Sequence, residues 1–284
     1  MTPVIKICGL STAAALDAAL DAGADMVGFV FFPKSPRHVD WETARALGQR
    51  ARGRARIAAL SVDADDETLQ RIVETLAPDL MQLHGSETPA RVKRIGELCG
   101  SQTMKAIGVA TRADLAAAEP YESVSDLVLV DAKPPKDATL PGGNGRPFDW
   151  RLARDFRPRI PWLLSGGLDP DNVAEAIALS QTRGVDVSSG VESAPGVKDE
   201  ARIRAFVAAA RRAFAREQIA LEPSPTSARR VSSPLVGEDQ GGGSRRPARP
   251  AGGAFEDPRR SSRPPTPARP HKGGGGADRG SGLT

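Results

Sequence analysis

Through residues 1–220, short runs rich in Val, Ile and Leu alternate with longer Ala-, Leu- and Arg-rich stretches whose apolar positions recur at helical spacing. The runs predict strands at Val4 to Cys8, Met26 to Phe32, Ile57 to Val62, Leu80 to His84, Thr103 to Val109, Leu127 to Asp131, Trp162 to Ser165 and Val185 to Ser188. The stretches between them predict helices opening at Ser11, at Trp41 behind Asp40, and at Asp65-Asp66-Glu67, Ser86-Glu87, Thr111, Phe148-Asp149, Asp169-Pro170 and Asp199-Glu200. Several of these begin with an N-cap residue or with acids that suit the positive end of a helix. Strands that are each followed by a helix, over about 220 residues, fit a closed (β/α)8 TIM barrel forming a single α/β domain. An open doubly wound sheet carries fewer strands and a glycine-rich fingerprint after its first, which Cys8-Gly9-Leu10-Ser11 does not supply.

Composition changes the picture beyond Leu221, where Pro, Gly, Ser and Arg take over and Phe255 is the only aromatic residue. Such a segment buries too little apolar surface to offset the entropy of ordering it, so residues 221–284 are expected to be a disordered tail. A weak nucleic-acid-binding arm is the alternative, though the tail lacks aromatic stacking platforms. The formal charge of +4 is unevenly spread: the tail holds 11 of the 39 Lys and Arg and 6 of the 35 Asp and Glu, leaving 28 basic against 29 acidic residues before it. The near-neutral barrel has no electrostatic case for binding nucleic acid.

Cys8 and Cys99 stand in neither a CxxC pair nor a metal-ligand spacing, so no metal and a reduced, cytoplasmic setting are expected. The sequence shows no basic stretch leading into an apolar run, and no apolar run of about 18 residues, so neither export nor a membrane partner is expected.

A barrel places its chemistry at the C-terminal ends of its strands. Alternation puts Lys6 and Cys8 on one face of the first strand, where an ammonium can lower a thiol pKa and make Cys8 a base or nucleophile. The other reading of Cys8 is a small buried hydrophobe. Further strand ends supply Gln82 and His84, Asp131, Ser165, and Asp186 and Ser188. A thiol and a carboxyl from the first and sixth strands make a base and acid pair if the first ionises and the second keeps its proton. Asp131 has a second reading, as a rim carboxylate paired with Lys133, and His84 one as a hydrogen-bonded core histidine. Ser165-Gly166-Gly167 and Ser188-Ser189-Gly190 end the seventh and eighth strands, where barrels frequently bind phosphate through converging N–H groups. Taken singly, each could merely form a tight turn; the two together favour phosphate. In the loop Phe31 to His38, stiffened by two prolines, Arg37 could form a bidentate pair with a carboxylate, the other reading being a plain solvated loop. Pro134 to Phe148 has the composition of a mobile lid.

Together Lys6-Ile7-Cys8-Gly9-Leu10, Ser35-Pro36-Arg37, Gln82-Leu83-His84-Gly85, Asp131, Gly142-Gly143-Asn144-Gly145 with Phe148-Asp149-Trp150, Ser165-Gly166-Gly167-Leu168, and Asp186 to Glu192 with Pro195-Gly196 and Lys198-Asp199 resemble the phosphoribosylanthranilate isomerases of tryptophan biosynthesis. The resemblance spans about residues 3 to 210. It implies an Amadori rearrangement without metal or organic cofactor, with Cys8 as general base and Asp131 as general acid. It further implies Arg37 on the anthranilate carboxylate, and Lys6, His84 and Asp186 in substrate contact or orientation. Gly166, Gly167, Ser188, Ser189 and Gly190 would hold the phosphate of a small-molecule substrate, in a monomer or homodimer. The tail departs from the family pattern. A histidine-pathway or dual-substrate aminoaldose isomerase is the nearest rival, although paired aspartates would put an acid where Cys8 stands. A non-catalytic barrel recruiting partners through its tail is a rival of another class.

Overall fold

The computed structural model describes residues 2–133 and 148–221, with side chains through residue 219. The predicted tail after Leu221 and most of the predicted lid lie outside the described residues. Eight parallel strands close in sequence order into a barrel: β1 (Val4–Cys8), β2 (Met26–Phe31), β3 (Arg56–Ser61), β4 (Leu80–Leu83), β5 (Gln102–Val109), β6 (Leu127–Ala132), β7 (Trp162–Leu164) and β8 (Gly184–Val187). Closure is made where β8 pairs with β1, Lys6 lying beside Asp186. A small antiparallel hairpin, β9 (Glu192–Ala194) and β10 (Val197–Lys198), follows the barrel. The helices are α1 (Ala13–Asp21), α2 (Trp41–Ala51), α3 (Asp66–Leu76), α4 (Pro89–Cys99), α5 (Val173–Ser180) and α6 (Glu200–Leu221).

Alternation along the strands divides the buried side chains into two cores. Ile5, Ile7, Val27, Phe29, Val128 and Val130 pack outward against the helices. Met26, Ala58, Leu80, Met104, Leu127, Leu129 and Leu163 point inward and fill the lower barrel. The inward positions above them include Lys6 and Cys8 on β1, Gln82 on β4, Asp131 on β6 and Asp186 on β8. The apolar plug therefore gives way to polar groups at the C-terminal end.

At the N-terminal end a device recurs on alternate strands. Asp25, Asp79 and Asp126 immediately precede β2, β4 and β6. Each Asp donates its own N–H to a carbonyl of the neighbouring strand, on Ile5, Ile57 and Thr103 respectively. Each also accepts that same residue's N–H on its carboxylate, at 2.7, 2.7 and 2.8 Å.

Several helix starts differ from expectation. The first helix is capped by Thr12 rather than Ser11, and the fourth by Thr88 rather than Ser86 or Glu87. After β7, Asp169 accepts the N–H groups of Asp171 and Asn172, which delays α5 to Val173. The expected helix behind Thr111 is a 3-10 segment, Arg112–Tyr121, and contains Pro120, which has no N–H for an α ladder. The one behind Asp149 is a single 3-10 turn, Trp150–Ala153. Among the described residues no helix is long and apolar enough to cross a membrane.

Candidate active site

Lys6 and Cys8 point into the upper barrel from β1, and the room for both comes from β2. Gly28 is the register partner of Cys8, and a Cβ there would sit 3.0 Å from the Cys8 sulfur and 3.2 Å from Lys6 Nζ. Lys6 is fully buried and its Nζ donates to Asp186 Oδ1 at 2.8 Å. The second oxygen of Asp186 accepts from Ser165 Oγ at 3.4 Å, so a polar chain runs from β1 through β8 to the end of β7. Burial pushes the Cys8 thiol above its ordinary value, Lys6 pulls it back only in part, and Asp186 adds to the rise. The expectation of a lowered thiol is thus corrected: desolvation prevails over Lys6, and the carboxylate beside Lys6 opposes it as well. Burial works against the Lys6 ammonium too, but Asp186 and Cys8 outweigh it and raise its pKa.

On the other side of the mouth, Asp131 ends β6. Its Oδ1 accepts the N–H of Ala132 at 2.8 Å, and its Oδ2 lies 3.2 Å from His84 Nε2. Gln82 Nε2 is 3.2 Å from His84 Nδ1. An amide nitrogen only donates, so with the amide placed this way Nδ1 accepts and Nε2 carries the proton toward Asp131. The rim alternative for Asp131 does not hold, because Lys133 pairs with Asp114 at 2.9 Å. His84 is held between the Gln82 amide and the Asp131 carboxylate.

Arg37 reaches the mouth from the loop after β2. Gly9 has φ +74° and a Cβ on it would lie 2.7 Å from Arg37 Cδ, so the guanidinium stem packs directly over the turn that ends β1. The predicted bidentate pair exists within the chain: Arg37 Nε and Nη2 donate to Glu192 Oε1 and Oε2 at 2.7 and 3.0 Å. Glu192 also accepts from Lys198, its partner across the β9–β10 hairpin, at 2.8 Å. Lys198 Nζ in turn donates to the Ser188 carbonyl at 2.8 Å and lies 3.3 Å from its hydroxyl. Burial lowers the Lys198 pKa despite Glu192. Burial pushes the Glu192 carboxyl up, yet Arg37 and Lys198 together bring it below the ordinary range.

The loops after β7 and β8 lie against one another. A Cβ on Gly190 would collide with the Leu168 carbonyl oxygen, and one on Gly166, at φ +88°, would sit 2.6 Å from the Ala132 nitrogen. Gly167, Ser188, Ser189 and Gly190 keep partial exposure while Gly166 is buried. The arrangement leaves backbone accessible between two loops and a short 3-10 turn, Ser189–Val191.

Sequence reasoning assigned no role to Gly28, Glu192 or Lys198. Gly28 carried no signal of its own, and the other two become legible only once the hairpin folds back. Among the described residues, no three His, Cys, Asp or Glu side chains are grouped to hold a metal ion.

Residues 5–209 match the family described as N-(5′-phosphoribosyl)anthranilate isomerase. The chain is 60% identical over 213 residues to the N-(5′-phosphoribosyl)anthranilate isomerase of Nitrobacter hamburgensis, covering 75% of this chain and 95% of that one. It is 57% identical over 211 residues to the Bradyrhizobium diazoefficiens protein of that name, covering 74% and 95%. Among solved structures, the phosphoribosyl anthranilate isomerase of Thermotoga maritima superposes with a TM-score of 0.67 at 34% identity, covering 74% of this chain and 99% of that one. A structure of such an enzyme in complex with reduced 1-(o-carboxyphenylamino)-1-deoxyribulose 5-phosphate gives 0.64 at 32% identity, with coverage of 74% and 99%.

Proposed function

The chain belongs to the N-(5′-phosphoribosyl)anthranilate isomerase family, and from that premise we propose that Cys8 and Asp131 are the base and acid of its reaction. The activity is the aldose-to-ketose isomerisation of N-(5′-phosphoribosyl)anthranilate in tryptophan biosynthesis, and the substrate is a phosphorylated small molecule. The observation that carries the site reading is the inward parity of Cys8 on β1 and Asp131 on β6, with His84 bonded to Asp131, at the C-terminal end of one closed barrel.

Asp131 gives a proton to the furanose ring oxygen, and the bond from that oxygen to the anomeric carbon breaks as the anilino nitrogen lone pair forms an iminium. The Cys8 thiolate then removes the proton from the neighbouring carbon, and the electron pair neutralises the iminium to an enolamine. Tautomerisation gives the ketose. A thiol with a raised pKa is scarce as thiolate but strong as a base. The iminium brings a positive charge to the site at the moment the thiolate is needed. The substrate nitrogen serves as electron sink, so the scheme assigns no metal or cofactor.

Binding follows from the two ends of the site. Arg37, oriented by Glu192, receives the anthranilate carboxylate, and Gly166, Gly167, Ser188, Ser189 and Gly190 cradle the phosphate. Anchoring both anions places the sugar between the proton carriers. Lys6 and Asp186 act beneath the sugar, on Cys8. Residues 1–220 form the isomerase domain and 221–284 an appendage that the reaction does not use. The test is loss of the substrate's anthranilate fluorescence on adding the purified full chain, repeated after deleting residues 221–284. Both should turn over the substrate. Turnover only of a histidine-pathway aminoaldose would overturn the reading, and activity lost on truncation of a still-folded barrel would overturn the domain assignment.

A further inference from the structure

Lys105 lies in mid-β5 between the inward-facing Met104 and Ala106, so its side chain leaves the barrel on the outer face, away from the site. It is nevertheless buried, as is its partner Glu87, the two meeting at 2.8 Å. The same ammonium donates to the Gly85 carbonyl at 2.6 Å and to the Leu83 carbonyl at 3.3 Å. Those carbonyls flank His84. Glu87 returns along the same segment, accepting the Gly85 N–H on both oxygens, at 3.0 and 3.2 Å, and the Asp63 N–H at 3.0 Å. Asp63 accepts from the N–H and hydroxyl of Ser86, and a Cβ on Gly85 would collide with its carboxylate. Tyr121 completes the enclosure, donating its hydroxyl to the Glu87 carbonyl at 2.9 Å, with its ring 5.8 Å from Lys105 Nζ.

A buried lysine needs a carboxylate and further acceptors to offset its desolvation. Here the further acceptors are the two backbone carbonyls on either side of the imidazole that touches Asp131. The His84 N–H is itself donated to the Ser61 carbonyl at 3.0 Å, so the backbone on both sides of the ring is pinned. We propose that Lys105, with Glu87, is a positioning residue of the reaction: from behind the sheet it fixes the His84 backbone and so aims the imidazole at Asp131. The inference rests on the assignment of Asp131 as the acid.

A double-mutant cycle tests it. Lys105→Met, measured alone and in a His84→Ala background, should lower kcat about tenfold alone, a misalignment of well under an ångström sufficing for that. KM should stay within about twofold, because neither anion site is touched. In the His84→Ala background the same change should cost less than about twofold, since its effect passes through the missing ring. Should Lys105→Met fail to fold, Lys105→Gln with Glu87→Gln removes both charges together and enters the same cycle. Equal losses in both backgrounds, or an unchanged kcat in the single variant, would overturn the positioning role. If His84→Ala and Asp131→Ala each keep full turnover, the acid assignment itself falls, and the positioning role with it.

Discussion

Asp126 and Asp131 stand at the two ends of β6 and do different work with the same side chain. Asp126 spends its carboxylate and its own N–H on one residue of the adjacent strand, Thr103; Asp79 repeats that pattern on β3, and Asp25 repeats it on β1 while its other oxygen pairs with Arg211 at 2.7 Å. Asp131 faces into the barrel and meets a titratable ring, His84. A carboxylate whose partners are backbone N–H groups or a guanidinium has nothing to exchange protons with; Asp131 adds an imidazole to its bond with the Ala132 N–H. One bonded to an imidazole beside an accessible mouth can pass a proton. With Asp131 as the proposed acid, the barrel keeps scaffolding carboxylates at one end and its proton donor at the other, over the length of a strand.

The widest gap between the ends should appear in turnover. Cys8→Ala and Asp131→Ala are each expected to lower kcat about a hundredfold or more, the usual scale for removing a proton carrier, while thermal melts stay close to the parent. Near-normal rates in either variant would mean that the wrong pair has been named.

Next in size is the Lys6–Asp186 pair, which belongs to the upper end yet is as enclosed as a core. Asp186→Asn leaves a buried ammonium without its counter-charge, for which a loss of about 3–5 kcal/mol is expected by denaturant unfolding. The same change should alter the pH profile. Burial holds the thiol above its ordinary value and Asp186 adds to this, so the rising limb of kcat/KM in the parent should lie above that of a free thiol. Removing the Asp186 charge should move the limb to lower pH. A limb that stays put, or moves up, would separate Cys8 from the base.

The strands and the inward face of β1 were legible because alternation and strand length are local properties, and the Gly166-Gly167 and Ser188 to Gly190 segments because they fall at strand ends. What escaped was set by register and by chain reversal. Lys105 reads as a lone charge inside an apolar run until β4 is laid beside β5, and Ser86-Glu87 reads as a helix start although Glu87 turns back to that lysine. Glu192 and Lys198 lie six residues apart and meet only through the hairpin. The thiol was misjudged first because its burial raises it, and then because Lys6 was visible beside Cys8 but its bond to Asp186, across the barrel seam, was not.

Glu192 offers an intermediate case, a carboxylate at the C-terminal end of the barrel that holds two cations, Arg37 and Lys198. Glu192→Gln should raise KM about tenfold with kcat within about twofold, because Arg37 loses the charge that orients it. A loss confined to kcat would place Glu192 in the chemistry instead. The pH dependence has a definite sign. The folded carboxyl lies below its unfolded value, so its contribution to stability is present above about pH 4.3 and is lost as pH falls through the folded value. The stability gap between parent and Glu192→Gln should therefore close in acid; a gap that widens there would contradict the ion pairs with Arg37 and Lys198.

The smallest expected effect is the sharpest test of the division between ends. Asp126→Ala removes one carboxylate bond to the N–H of buried Thr103, from an exposed side chain whose place water can partly take, so about 1 kcal/mol of stability is expected to go. The Asp126 N–H still reaches the Thr103 carbonyl, and the strand register with it should persist. Since neither Asp131 nor His84 then moves, kcat and KM should match the parent within error, in contrast to the loss expected five positions further along the same strand. A fall in kcat of tenfold or more, with the fold intact, would show that strain at the floor of the barrel reaches its mouth, and the separation of scaffold from chemistry along β6 would have to be abandoned.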